Sequence, residues 1–210
     1  MRFVTFNIQH ARRPDGVVDA ALLATACAAF EADVLALQEV DDRTRRSGGI
    51  DQSAVVADAC AMHVVFGPAI PRYGNALLAR EPITDVELLD LPFSEGREPR
   101  SAIVARIGEL SVAATHLGLH GDAHAQLPLV VAALTSRPGP RVLLGDLNLG
   151  PADVRVAPLT RVESDHTFPV DRPTRTIDHV AVDGLTVTRV VVLPPQPVSD
   201  HRALLVETAP

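Results

Sequence analysis

The chain has 210 residues, 47% of them hydrophobic, which suits one domain with a sizeable core and no need of disulfide or metal staples. Aromatics are only 3% and Trp is absent, so that core is built from Val, Leu, Ile and Ala. All 19 basic residues are arginines, and the net charge of −7 argues against the broad basic face that duplex nucleic acid requires, though not against a local phosphate pocket.

The first apolar run, "RFVTFN" (2–7), reads as a strand ending on Asn7. It carries no charged segment, apolar stretch and cleavage site in the order of a secretion signal, and no apolar run along the chain is long enough to span a membrane. A cytoplasmic protein is the simplest expectation. Residues 17–30 place Val18, Leu22 and Ala29 at helical spacing, and 52–61 do the same for Val55, Val56, Ala59 and Cys60, with the second helix starting near Asp51. Between them "ADVLALQEV" (32–40) is a strand. Cys27 and Cys60 lack metal-ligand spacing and read as small buried apolar residues. Strands follow at 63–70, 73–80, 83–93, 101–107 and 110–117, joined by short turns and hence expected to be antiparallel. A helix over 123–135 carries Leu127, Val130, Val131 and Leu134 on one face. Strands at 141–147, 176–183, 185–194 and 202–208 complete the chain. No linker, repeat or low-complexity tract divides it, so residues 1–210 are expected to form a single domain. A mixed sheet, or two sheets packed face to face with helices outside, satisfies this order.

Polar residues gather where these strands end: Asn7, Glu39, Asn75, His116, Asp146 with Asn148, Asp178 with His179, and Asp200 with His201. Each alone has an ordinary reading, because Asn and Asp cap helices and make turns, and a lone strand-end His is usually an edge residue. Together they form an inventory of carboxylates, amides and imidazoles that suits a hard divalent cation and a phosphoryl group. Mg²⁺ takes one or two carboxylates with water and substrate phosphate, whereas zinc calls for several His or Cys at short spacing, which the sequence lacks. In "VLLGDLNLGP" (142–151), an extended backbone would point Asp146 and Asn148 the same way and Leu147 into the core, with Gly145 and Pro151 bracketing a change of direction.

Seven motifs stand in order along the chain: "TFNIQH", "LQEVD", "YGNALL", "THLGLH", "GDLN", "TIDHV" and "SDHRAL". In these the sequence resembles the endonuclease/exonuclease/phosphatase superfamily of deoxyribonuclease I-like phosphoesterases, and in size its small bacterial members. The resemblance implies a four-layer α/β sandwich, two mostly antiparallel sheets packed face to face with helices on the outside, and a site at one end of the sheets. It implies Mg²⁺ or Mn²⁺ held by Glu39 with Asn7 and Asp200. Asp146 would orient or deprotonate the attacking water, Asn148 would hold the phosphate, and His201, oriented by Asp178, would meet phosphoryl oxygens or a second metal. His116 would contact the phosphate or stabilise the leaving group, and Asn75 would support the site floor. "RRSGGIDQ" (45–52) is similar to a run in small bacterial members, so Arg45, Arg46 and Gln52 either face the substrate or belong to a solvated loop. Arg100 of "EPRSAI" either meets a substrate phosphate or lies in a surface loop. His166 is the pocket candidate among the remaining histidines, from a "TFP" segment similar to the family's. Thr176 stands where members often carry Arg or Lys, which puts a substrate contact in doubt and leaves Asp178 and His201 untouched.

The implied function is a metal-dependent hydrolase of a phosphate monoester or diester, on a small or lipid-derived substrate and with no obligate protein partner. A DNA endonuclease or exonuclease is the alternative, disfavoured by the acidic balance and by the short chain, which leaves little room for groove-reaching loops. A non-catalytic binding module is a third reading, and it would be favoured by degraded catalytic positions.

Overall fold

The computed structural model describes residues 1–119 and 121–209; His120, which closes "THLGLH", and Pro210 lie outside the described residues. In chain order the elements are β1 (Arg2–Asn7), α1 (Ala20–Ala29), β2 (Val34–Asp41), α2 (Gln52–Cys60), β3 (His63–Ile70), β4 (Tyr73–Ala79) and β5 (Ile83–Leu91). They continue as β6 (Arg100–Ile107), β7 (Leu110–His116), α3 (Gly121–Thr135), β8 (Arg141–Asp146), β9 (Thr160–Arg161), β10 (Asp178–Asp183), β11 (Val187–Val192) and β12 (Leu204–Thr208).

The strands form two six-stranded sheets, ordered β11-β12-β1-β2-β4-β3 and β5-β6-β7-β8-β10-β9. The pairs β1–β2 and β7–β8 are parallel and the others antiparallel. Each parallel pair is joined through a helix, α1 in the first sheet and α3 in the second, because a parallel connection must return along the length of the sheet. Alternation along the strands then sorts side chains into three cores. Phe3, Val34, Leu77, Ile103, Val112, Leu144, Val180 and Leu204 fill the space between the sheets. Val4, Phe6, Leu35 and Leu37 pack outward with Leu23, Cys27 and Val56 of the first two helices, and Ala113 and Leu143 pack outward with Leu127, Val130 and Leu134 of α3. Three cores make four layers, the α/β sandwich expected from the sequence.

The helices begin where their caps put them: Asp19 accepts from Leu22 N at 2.9 Å and Asp51 from Ala54 N at 3.0 Å. Two faces differ from the sequence reading. The buried stripe of α1 runs through Leu23 and Cys27 towards Phe30, leaving Ala29 exposed, and α2 buries Gln52, Ser53, Val56 and Ala57, leaving Ala59 exposed and Cys60 half-buried. The antiparallel expectation also breaks once, between β4 and β5. Arg80 N stays with the first sheet by donating to Asp33 O at 3.0 Å, and from Pro82, which has no N–H to give, the chain crosses to the edge of the second sheet.

Candidate active site

The site is the polar continuation of the inter-sheet core. Residues two apart on a strand share a face. Phe3 thus leads to Thr5 and Asn7, Leu77 to Asn75 and Tyr73, Ile103 to Ser101, Ala114 to His116, Leu144 to Asp146 and Val180 to Asp178. Register aligns the ends: in the second sheet His116 pairs with Asp146, which pairs with Asp178. Gly145 is a strand residue here rather than part of a turn, and a methyl group on it would sit 2.1 Å from Thr115 O. Its hydrogen lets β7 and β8 close up at that point.

Glu39 reaches the site by an irregularity. Leu35, Leu37 and Val40 all pack against the outer helices, so two residues rather than one separate Leu37 from Val40 on that face. The register slips between Leu37 and Val40, and Glu39 adopts φ 58°, a bulge that turns its carboxylate towards the gap between the sheets. Close by, the turn after β1 holds Gln9, His10 and Ala11 at φ 44°, 46° and 61°, a left-handed run that costs about 1–2 kcal/mol per non-glycine residue. Asn7 ties the halves together: its Nδ2 donates to Glu39 Oε1 at 3.1 Å and to Asp146 Oδ2 at 3.0 Å, while its Oδ1 accepts from Gln9 N. Burial, then the nearby charge of Asp200, push the Glu39 carboxyl above its ordinary range.

On the second sheet the carboxylates are closed from water. Asp146 is 2% exposed, and burial followed by repulsion from Asp178 raises its pKa to about 7. His201 donates from Nδ1 to Asp178 Oδ2 at 2.9 Å, and its Nε2 lies 3.8 Å from Asp146 Oδ2. Burial opposes the charged ring, yet Asp178, Asp146 and Asp200 outweigh it and lift His201 to about 9, so the ring is an imidazolium at neutral pH. His116 goes the other way: burial, then the charges of Arg100 and His201, hold it well below the usual range and leave it neutral. Its Nε2 faces Asn148 Nδ2 at 3.2 Å and Asp146 Oδ2 at 3.5 Å. Asn148 arrives by a route the extended reading missed. The strand ends at Asp146, and Asn148 turns back at φ 51° to donate to Leu117 O at 2.9 Å, while Leu147 packs in the outer core as expected.

The remaining candidates divide. Asn75 is 2% exposed and bonds Ser101 O at 2.9 Å, tying the two sheets beneath the site. The Arg100 charge is felt by both Glu39 and His116, and its guanidinium is paired with Glu98 on the exposed loop before β6. Arg46 is held by both oxygens of buried Asp41, at 2.7 and 2.8 Å, and lies 5.1 Å over the Tyr73 ring. Gln52 is fully buried and braces the left-handed turn instead of facing a substrate. Exposed His166 bonds Thr176 Oγ1 at 3.0 Å rather than any of the acid–base candidates. Sequence reasoning missed the supports. Thr167 donates to Asp178 Oδ2 at 2.5 Å, Phe168 packs 4.8 Å from the His201 ring, and Ser199 joins Asn7 O to His201 N. Adjacency to "TFP" and "SDH" was the available signal for them.

A model of the Endonuclease/Exonuclease/phosphatase family matches residues 4–201. The chain belongs to that family. Among solved structures, an endonuclease/exonuclease/phosphatase from Beutenbergia cavernae is 27% identical with a TM-score of 0.81, over 99% of this chain and 71% of that one. The mannosyl-6-phosphatase Bt3783 of Bacteroides thetaiotaomicron is 17% identical with a TM-score of 0.81, over 100% and 99%. TDP2 of D. rerio, complexed with a single-strand DNA product, is 16% identical with a TM-score of 0.77, again over 100% and 99%. No curated protein matches the chain. At such identities the last two share the fold alone.

Endonuclease/exonuclease/phosphatase members are hydrolases that generally depend on a divalent metal, and the donors present fit one. Glu39 and Asp200 supply hard oxygens whose mutual repulsion a cation relieves. Asp146, Asp178 and His201 also bring three donor atoms within 4.8 Å of one another, and buried Asp178 Oδ1 has no hydrogen-bond partner among the described residues. No helix among the described residues is long and apolar enough to cross a membrane.

Proposed function

We propose that residues 1–210 form a single catalytic domain that hydrolyses a phosphate monoester or diester, on a small or lipid-derived substrate, by in-line attack of water. One observation carries this reading: a buried carboxylate with a pKa of about 7, Asp146, stands 3.8 Å from a cationic imidazole, His201, at the end of the inter-sheet core. Asp146 is poised to take a proton from the attacking water near neutral pH, and Asn7 and the Asn148 N–H fix its two oxygens. His201, held through Nδ1 by Asp178, presents Nε2–H to the charge that develops on the phosphoryl oxygens. Neutral His116 and the Asn148 amide supply hydrogen bonds beside it, and Arg100 supplies a further positive charge. Glu39, braced by Asn7, and Asp200 would hold Mg²⁺ or Mn²⁺, which when bound neutralises phosphoryl charge and orients the substrate. Asn75 keeps the floor rigid. Arg46 lines the mouth with its fixed guanidinium, and His166 stands at the rim. We place the enzyme in the cytoplasm. The DNA reading draws no support from the net charge of the chain, which is −7.

A panel of chromogenic phosphomonoesters and phosphodiesters, an inositol phosphate, a lysophospholipid and nicked DNA, each with Mg²⁺, Mn²⁺ or EDTA, tests this. Metal-dependent release from at least one small ester, with slower cutting of DNA, is expected. Hydrolysis untouched by EDTA, or of DNA alone, refutes the reading.

A further inference from the structure

His10 is a polar group the proposed reaction leaves unused. Its Nδ1 is shut off from solvent and meets no hydrogen-bond partner among the described residues. A neutral packing histidine normally satisfies its buried nitrogen. This one instead faces Glu39 Oε2 at 4.0 Å, too far for a hydrogen bond but close enough that both atoms could bind one cation. The backbone that carries it is strained and braced. Gln9, His10 and Ala11 form the left-handed turn, and fully buried Gln52 holds it by donating to His10 O at 2.7 Å while accepting from Asp41 N at 2.9 Å. Strain of this kind persists only where surrounding structure enforces it, and it gathers at functional sites.

We propose that His10 Nδ1 is a further donor to the divalent cation of Glu39, giving a mixed nitrogen–oxygen centre that prefers a first-row transition cation to Mg²⁺. The inference rests on the reading of Glu39 as a metal ligand. Mg²⁺ seeks oxygen donors and dehydrates reluctantly, whereas imidazole binds more strongly along the transition series.

The test uses the full chain freed of metal with a chelator. Calorimetric titration with Mn²⁺ and with Mg²⁺ is paired with pulsed electron paramagnetic resonance on the Mn²⁺ complex, which reports nitrogen coupling from a directly bound imidazole. The informative variant is His10→Asn, because Asn tolerates the left-handed backbone and sets an oxygen near the place of Nδ1. Wild type should bind Mn²⁺ at least ~10-fold more tightly than Mg²⁺ and show the coupling. His10→Asn should lose roughly 10-fold in Mn²⁺ affinity, change in Mg²⁺ affinity by less than about threefold, and lose the coupling. Absence of coupling in wild type, or unchanged Mn²⁺ affinity in His10→Asn, overturns the proposal. Should His10→Asn fail to fold, a His116→Gln, His201→Gln double variant decides: coupling survives in it only if His10 is the source. Glu39→Gln separates the two readings. If it binds Mn²⁺ as wild type does, the Glu39 metal site itself is wrong; if it loses Mn²⁺ while His10→Asn does not, only the His10 inference fails.

Discussion

The two sheets contribute unlike halves to the site. The second sheet supplies His116, Asp146 and Asp178 at 5%, 2% and 0% exposure, from regular strand ends in continuous register. The first sheet supplies Glu39, and the turn before β12 supplies Asp200, with side chains 25% and 41% exposed; Glu39 sits on a bulge beside a left-handed turn. The groups proposed to handle protons are thus dry, and those proposed to hold the ion are wetter, with Glu39 on strained backbone. Burial raises the proton affinity of Asp146 and the surrounding carboxylates raise that of His201 against its own burial, whereas a cation must enter and shed water, which an open half permits.

The largest expected effect separates these halves. Asp146→Asn should lower turnover of a responsive ester by ~10³-fold or more, regardless of metal concentration. Glu39→Gln should lose on the order of 10²-fold at micromolar Mn²⁺ and recover much of it at millimolar Mn²⁺, because it weakens binding of the ion rather than the proton step. Metal rescue of Asp146→Asn, or none of Glu39→Gln, would erase the distinction.

A smaller effect concerns pH. The proposed mechanism needs Asp146 ionised and His201 protonated, so kcat/KM should rise as pH passes about 7 and fall as it passes about 9. A bound cation would draw the acid limb lower. His201→Gln should abolish the alkaline limb in whatever activity remains, and a limb that persists reassigns it.

The smallest effect is on stability and has the opposite sign to the activity loss. The folded Asp146 carboxyl titrates at about 7 instead of 3.8, so the folded state binds the extra proton and stability falls as pH rises through that window. Asp146→Asn removes the cost. The metal-free variant should therefore exceed wild type by roughly 2 kcal/mol at pH 8, with little difference at pH 4. Thermal melts at the two pH values check this, and equal Tm values at pH 8 would show that Asp146 is not strained.

The same contrast explains what the sequence could disclose. In the second sheet, apolar alternation runs straight into His116, Asp146 and Asp178, so strand, face and chemistry are readable together. Period alone places Glu39 on the outer face with Leu35 and Leu37, and only the extra residue of the bulge corrects it. An extended strand would place Asn148 on the same side as Asp146, but φ 51° is what delivers it there. The passage from β4 to β5 misled because a three-residue connection looks alike whether it closes a hairpin or changes sheets. Ser199 and Gln52 bond to Asn7 and His10, 192 and 42 residues away, so a motif beside Ser199 flags the residue and no local pattern names either partner.

Gly145 carries no side chain and touches no substrate, yet its tolerance to mutation should match that of an acid–base residue. Its neighbour across the ladder is Thr115 O, a backbone atom that no rotamer change can move aside. Any side chain there wedges apart the strands that deliver His116 and Asp146. In a saturation library, residue 145 should therefore rank with the chemical centre, and a screen scored on activity alone would mistake a spacer for a reactant.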